Sequence, residues 1–280
     1  MSPWKPLGLI ACGRMSRSLL MRRPALSRHL GPVVAADRRL ASRYANSLRA
    51  GAAGEVEDLR GCGLILMQPG GAGADRLVAL LREAAPWKGS HFALLSVDEE
   101  ASALGELRAG GAVACSVAAL PARGRDVVVL EGDRRAVRRA RQWLAEGHMR
   151  CLDLAPGGKP LVLLGMQTAA GLLTPLLDAA LMTLRAAGIG SRDARRLLQD
   201  AADAAVRAFA ARGRHGWENP AAAGRAPLTE ARLAAAAQVV PELASFQALV
   251  YDAVKQHYTS GTGAGEGKDS GVPARAGGIS

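Results

Sequence analysis

The chain has 280 residues, 49% of them hydrophobic, which is enough for one large domain or two modest ones with their own cores. Its formal charge of +11 would suit a nucleic-acid partner, but the basic residues are mostly arginines in helical stretches such as DRRAVRRARQW (Asp133 to Trp143). No zinc finger or RNP-type aromatic pair accompanies them, so a solvated helix face is expected and a nucleic-acid partner is not.

In chain order, short apolar segments alternate with amphipathic ones. PLGLIA (6–11) reads as a strand, followed by a helix from about Arg14 to Leu30, the strand PVVAAD (32–37), a helix near Arg38 to Ala50 and the strand GLILMQP (63–69). The pattern continues with a helix near Ala74 to Ala85, the strand HFALLSV (91–97), a short helix around Ala101 to Ala109, and the strands AVACSVAAL (112–120) and DVVVLEG (126–132). A basic helix (133–146) and a last short strand around HMRCLDL complete it. Strand–helix alternation of this kind predicts an N-terminal α/β domain over residues 1–155, with a Rossmann-like doubly wound sheet.

At APGGKP (155–160) two glycines and two prolines mark a boundary, and no strand-like alternation follows. An all-α C-terminal domain is expected over 156–258: one helix from Leu161 to Ala187, one from Ser191 to about Arg212, and a stretch from Leu228 to His257 broken or kinked at Pro241. Residues 259–280 have almost no apolar side chains and are expected to be a disordered tail.

Cys12, Cys62, Cys115 and Cys151 lie far apart and His91, His148, His215 and His257 offer no ligand spacing, so no metal site and no disulfide is expected. The apolar run after Pro160 is interrupted by Gln167, Thr168, Thr174, Pro175 and Asp178, which argues against a membrane span. Before Asp37 there is no acidic residue, and arginines alternate with serines as they do in a mitochondrial transit peptide. Removing that segment would delete the strand PLGLIA, so a cytoplasmic protein is expected.

The chemistry-bearing motif follows that first strand. In a dinucleotide-binding turn the first glycine makes the turn, the second lets backbone approach the pyrophosphate, and the third lets helix pack on strand. Those places fall here on Ala11, Gly13 and Ser16: the closest-approach glycine is kept and small residues fill the others. Ala11, Cys12, Gly13, Arg14, Met15 and Ser16 are therefore the candidate phosphate cradle, with a structural relic of the same turn as the alternative. Asp37 lies where an acid commonly binds the adenosine ribose, which favours NAD. Arg38 and Arg39 could instead hold the 2′-phosphate of NADP, and Asp37 could simply cap a helix. Gln68 and Pro69, ending the strand GLILMQP, complete the cofactor-binding candidates.

LIACGRM resembles the IIGAGRMG of the Rossmann-like proteins with a C-terminal DUF2520 domain, relatives of pyrroline-5-carboxylate reductase within the 6-phosphogluconate dehydrogenase-like superfamily. GLILMQPGGA is similar to that family's DLVLLAVPD, and LRAGGAVACSVAALP to a segment ending in SLHP. LMTLRAAGIGSRDARRLL and PELASFQALVYDAV resemble its long helix and closing segment, so the similarity covers about residues 5–258. It implies an oxidoreductase using NAD or NADP, hydride transfer to or from a C=O or C=N group of a small metabolite, and a homodimer built through the C-terminal helices. The departures are substantial: Ala118 or Ala119 stands where the family has the histidine of SLHP, and Leu163 and Gly171 where its helix carries a histidine and an asparagine. GRAPLTE (224–230) keeps Gly224 and an acid at Glu230 but loses the arginine of the family's GPxxRGD. A catalytically degenerate nucleotide-binding or scaffolding relative is the alternative these losses suggest. No general acid can be assigned. Lys159, Gln167 and Thr174 are the remaining candidates, spaced near multiples of a helical turn so that they could share one face.

Overall fold

The computed structural model describes residues 5–12, 18–69, 81–84, 86–97, 100–120, 127–216 and 226–260. The chain divides into two compact units, Met1–Met166 and Gln167–Ser280.

Among the described residues, eight strands form one sheet in the first unit: β1 Leu7–Ala11, β2 Leu30–Val34, β3 Ala52–Ala53, β4 Leu64–Gln68, β5 His91–Leu95, β6 Val113–Leu120, β7 Val127–Gly132 and β8 Arg150–Asp153. Their spatial order is β3-β2-β1-β4-β5-β6-β7-β8, and the first six are mutually parallel. β7 turns antiparallel to β6 and pairs in parallel with β8. Near-continuous apolar runs such as LGLIA and LILMQ are what strands covered on both faces require, and every residue of β1 and β4 is buried.

One face is covered by α1 (Leu19–Arg22), α2 (Arg38–Leu48) and, after the short α3 (Gly105–Ala109), by α4 (Arg134–Ala145). α4 turns Ala136, Ala140, Trp143 and Leu144 inward at helical spacing. Arg134, Arg135, Arg138 and Arg139 stay on its exposed side, so the basic run is a solvated helix face. The Trp143 indole donates to the Leu26 carbonyl at 2.9 Å, which lets a polar N–H be buried. The opposite face packs Ile10, Ile65, Phe92 and Leu94 with Leu59 and Trp87. Further along it, α5 (Lys159–Met166) lays Val162 and Leu163 on Ala118, Leu120 and Val129. The first unit thus ends beyond the Gly/Pro boundary near residue 156, because α5 completes the cover of β6 and β7.

Most expected elements appear at their places, with three differences among the described residues. Of the helix expected from Arg14 to Leu30, residues 14–17 lie outside the described residues, and 18–30 hold α1 and a 3-10 turn, Pro24–Ser27: Pro24 has no N–H to continue the ladder, and β2 begins at Leu30. The edge strand β3 and the 3-10 turn Val56–Gly61 were not anticipated. The helix expected near 74–85 falls largely outside the described residues, with Leu81–Glu83 helical. Thr259 and Ser260, expected in the tail, belong to the last helix; residues 261–280 lie outside the described residues.

In the second unit a π turn, Gln167–Gly171, leads into α6 (Leu173–Ala186), followed by α7 (Ser191–Arg212), α8 (Ala226–Val239) and α9 (Pro241–Ser260). Pro241 is the first residue of α9, where its missing N–H costs nothing. The Gln247 amide donates to the Thr183 hydroxyl at 2.8 Å, tying α9 to α6. By length and composition the helical stretch Lys159–Ala186, from α5 through the π turn to α6, is long and apolar enough to cross a membrane despite its polar interruptions. None of the four cysteines forms a disulfide among the described residues. Burial, with Asp133 adding, pushes the Cys115 thiol up to about 12, so it is an inert apolar side chain at neutral pH.

Gly132 ends β7 at φ +134, and a Cβ there would lie 2.7 Å from the Cys115 Cα and closer still to the Ala114 carbonyl. Gly132→Ala is expected to cost about 2 kcal/mol or more through backbone strain and overpacking. Thermal melts followed by circular dichroism should show a fall of roughly 4–8 °C; an unchanged midpoint would refute this account of the β6–β7 seam.

Candidate functional site

The strand order reverses at β1: β2 and β3 lie on one side of it, β4, β5 and β6 on the other. Chains leaving neighbouring strands there depart to opposite faces, which opens a crevice outside the carboxyl ends of β1 and β4. Ala11 is registered with Gln68, and the Cys12 amide donates to the Gln68 carbonyl at 3.0 Å. The predicted residues Ala11, Cys12, Gln68 and Pro69 therefore meet at one seam. Gly13, Arg14, Met15 and Ser16, which follow directly, lie outside the described residues.

α1 starts later than expected. Ser18 is its N-cap, the side-chain oxygen accepting from the Leu20 amide at 3.1 Å, and the helix then runs only from Leu19 to Arg22. The helix dipole and aligned N–H groups that a longer helix would bring to an anion are correspondingly small.

Next to the seam on one side, β2 delivers Asp37 and Arg38. Asp37 is the N-cap of α2, and its Oδ1 accepts from the Leu40 amide at 2.7 Å. Capping and ligand binding are not exclusive, since a carboxylate has two oxygens and about four lone-pair sites. A cavity of about 420 Å³ opens here, lined by Ala36, Asp37, Arg38, Glu55, Glu57 and Glu83 among others. The carboxylates of Glu55, Glu57 and Glu83 were not singled out from sequence, because turns distant along the chain bring them to the end of β2.

On the other side of the seam a smaller cavity of about 90 Å³ is lined by Ser18, Arg22, Gln68, Ser96 and Val117 among others. Beside it stands Lys159. It is 1% exposed, and its Nζ donates to the Ser96 carbonyl at 2.7 Å and to the Ser116 Oγ at 2.6 Å. The turn before it is held by Glu131, whose Oε1 accepts from the Gly157 amide at 2.5 Å. Ser116 and Glu131 are registered opposite each other on β6 and β7, and both are buried. A serine inside AVACSVAAL and a glutamate inside DVVVLEG are polar residues in otherwise buried strands, a signal from which this cluster could have been read.

Gln167 and Thr174, expected to share a face with Lys159, are exposed residues of the second unit. The π turn Gln167–Gly171 inserts a residue into the helical count, so turn spacing does not carry across it. His91 begins β5, at the opposite end from the cavities; burial and the neighbouring Arg139 and Arg135 lower its pKa and keep it neutral at physiological pH. Among the described residues no group of three His, Cys, Asp or Glu side chains could hold a metal ion.

No protein-family model matches the chain, and no curated protein matches it significantly. Solved structures do. A candidate NADP oxidoreductase from Bacteroides fragilis aligns over 89% of this chain and 97% of its own at 10% identity, with a TM-score of 0.70. An imine reductase from Aspergillus terreus in complex with NADPH4 and a dibenzazepine aligns over 94% and 96% at 14% identity, TM-score 0.66. An imine reductase variant from Myxococcus stipitatus in complex with NAD+ aligns over 94% and 96% at 17% identity, TM-score 0.62. At these identities the likeness establishes the fold.

Proposed function

We propose that the protein is an NAD(P)-dependent oxidoreductase, related to the DUF2520 group, that transfers hydride to or from a C=O or C=N carbon of a small metabolite. The observation that carries this is the pair of cavities flanking the β1–β4 seam at the carboxyl edge of the sheet. A dinucleotide spans such a seam with its pyrophosphate at the centre. The residues fit one: the larger cavity, with an acid at the end of β2, suits an adenosine, and the smaller lies between that seam and Lys159. The fold shared with NADP oxidoreductases and imine reductases supports the same reading.

When bound, the nicotinamide supplies or accepts the hydride. The chain's own contribution is placement and charge. Asp37 offers an acceptor to ribose hydroxyls, and Ala11 to Ser16, of which Gly13 to Ser16 lie outside the described residues, are the candidates for the pyrophosphate. Lys159, its Nζ on the Ser96 carbonyl and the Ser116 Oγ, stands beside the carboxyl end of β5 and is the candidate to orient a substrate there. Gln167 and Thr174 remain candidates for substrate contact from the second unit.

We also read the protein as a cytoplasmic homodimer joined through its C-terminal helices. The second unit buries few apolar side chains, while Leu172, Leu176, Met182, Leu197, Val206 and Phe209 are exposed. That is more apolar surface than a solitary helical unit leaves in water. A second copy, rather than a lipid bilayer, accounts for the long apolar helix, because its first turns pack on the sheet.

Titration with NADH and NADPH, followed by cofactor fluorescence, should show saturable binding of at least one. Gly13→Val should abolish it while the circular dichroism spectrum is kept, since a branched side chain fills the space of the pyrophosphate. Absence of binding at millimolar cofactor would overturn the proposal. For the assembly, sedimentation equilibrium at tens of micromolar should give a dimer mass; a monomer would refute the interface.

A further inference from the structure

We infer that the dinucleotide taken at this edge is one without a 2′-phosphate, NAD(H) rather than NADP(H), and that the acidic lining of the cavity at the end of β2 selects it. The inference rests on the dinucleotide reading above and narrows it.

The cavity is not defined by its acids. It lies beside the seam where the strand order reverses, and its floor is the end of β2 with Val34, Ala35 and Ala36. What the acids decide is the charge an occupant meets. Asp37, Glu55, Glu57 and Glu83 line the cavity, and among its described lining residues Arg38 is the cation. Arg39 and Arg43, also on α2, do not line it.

An adenosine ribose with free 2′- and 3′-hydroxyls brings donors, and carboxylates accept from them. Asp37 can do so while it caps α2, because its cap engages Oδ1. A 2′-phosphate brings about two negative charges and acceptors only, so among the described lining residues it competes with four carboxylates for one guanidinium. A bidentate Arg38 contact would recover part of that cost, but it would leave the repulsion from Glu55 and Glu57 in place. Asp37, Arg38, Glu55, Glu57 and Glu83 are all exposed, so the discrimination acts through solvent and weakens with ionic strength.

The test is the ratio of the NADPH and NADH dissociation constants for the full chain, measured by cofactor fluorescence at about 20 mM and about 500 mM salt. At low salt NADH should bind at least about tenfold tighter, and the ratio should shrink severalfold at high salt. Asp37→Ser removes the charge but keeps a competent N-cap. Glu55→Gln with Glu57→Gln removes two more charges without changing shape. Each change should shrink the low-salt ratio at least about threefold, chiefly by tightening NADPH. Equal or tighter NADPH binding by the wild type, or a ratio that neither salt nor these substitutions move, would overturn the acidic selection and leave the dinucleotide reading standing. Failure of both cofactors to bind would overturn the two together.

Discussion

The parallel pairing of β1 with β4 is the constraint on which the molecule depends. It registers Ala11 with Gln68, lets the Cys12 amide close on the Gln68 carbonyl, and sets the reversal of strand order that opens the carboxyl edge. From that seam the rest follows by strand spacing. Asp37 and the cavity beside it are one strand away through β2; Ser96, Ser116 and Lys159 gather on the other side, at β5 and β6. Polar groups that are scattered between Asp37 and Lys159 in the sequence come to one edge because strands β1 to β6 are parallel and end together.

Burial explains which side chains are fixed there. Lys159 sits inside the unit with the Ser96 carbonyl and the Ser116 hydroxyl receiving its N–H groups; an ammonium without such partners would be too costly to bury. Glu131 secures the turn that launches the helix carrying it. The residues at the end of β2 differ in being exposed, so their influence is electrostatic rather than steric.

Much of the fold was legible in the sequence, because strands buried on both faces must be written as apolar runs and LGLIA, LILMQ and VVVLEG are such runs. The amphipathic helices 38–48 and 134–145 were equally plain. Pro24 was the missed punctuation mark: it cuts short the helix after β1 and with it the N-terminal dipole expected for an anion. The edge strand Ala52–Ala53 has two residues and no pattern to read. At the candidate site, position along a strand was enough to name Ala11, Cys12, Asp37, Arg38, Gln68 and Pro69, since strand ends mark the carboxyl edge. Glu55, Glu57, Glu83 and Ser96 were invisible because their proximity is tertiary. Lys159 was named for its turn spacing from Gln167 and Thr174, whereas its burial depends on β5 and β6. The π turn at Gln167, which undoes the spacing linking it to Thr174, has no sequence signature.

The central claim is that a dinucleotide lies across the carboxyl ends of β1, β2 and β4. Amide hydrogen exchange read by mass spectrometry, with and without saturating NADH, tests where binding occurs as well as whether it does. Protection is expected in peptides covering residues 8–22, 33–41 and 64–70, with the exposed arginine face of 134–142 unchanged. Protection confined to the second unit, or to the arginine face, would contradict the proposed site, and so would no protection at any cofactor concentration.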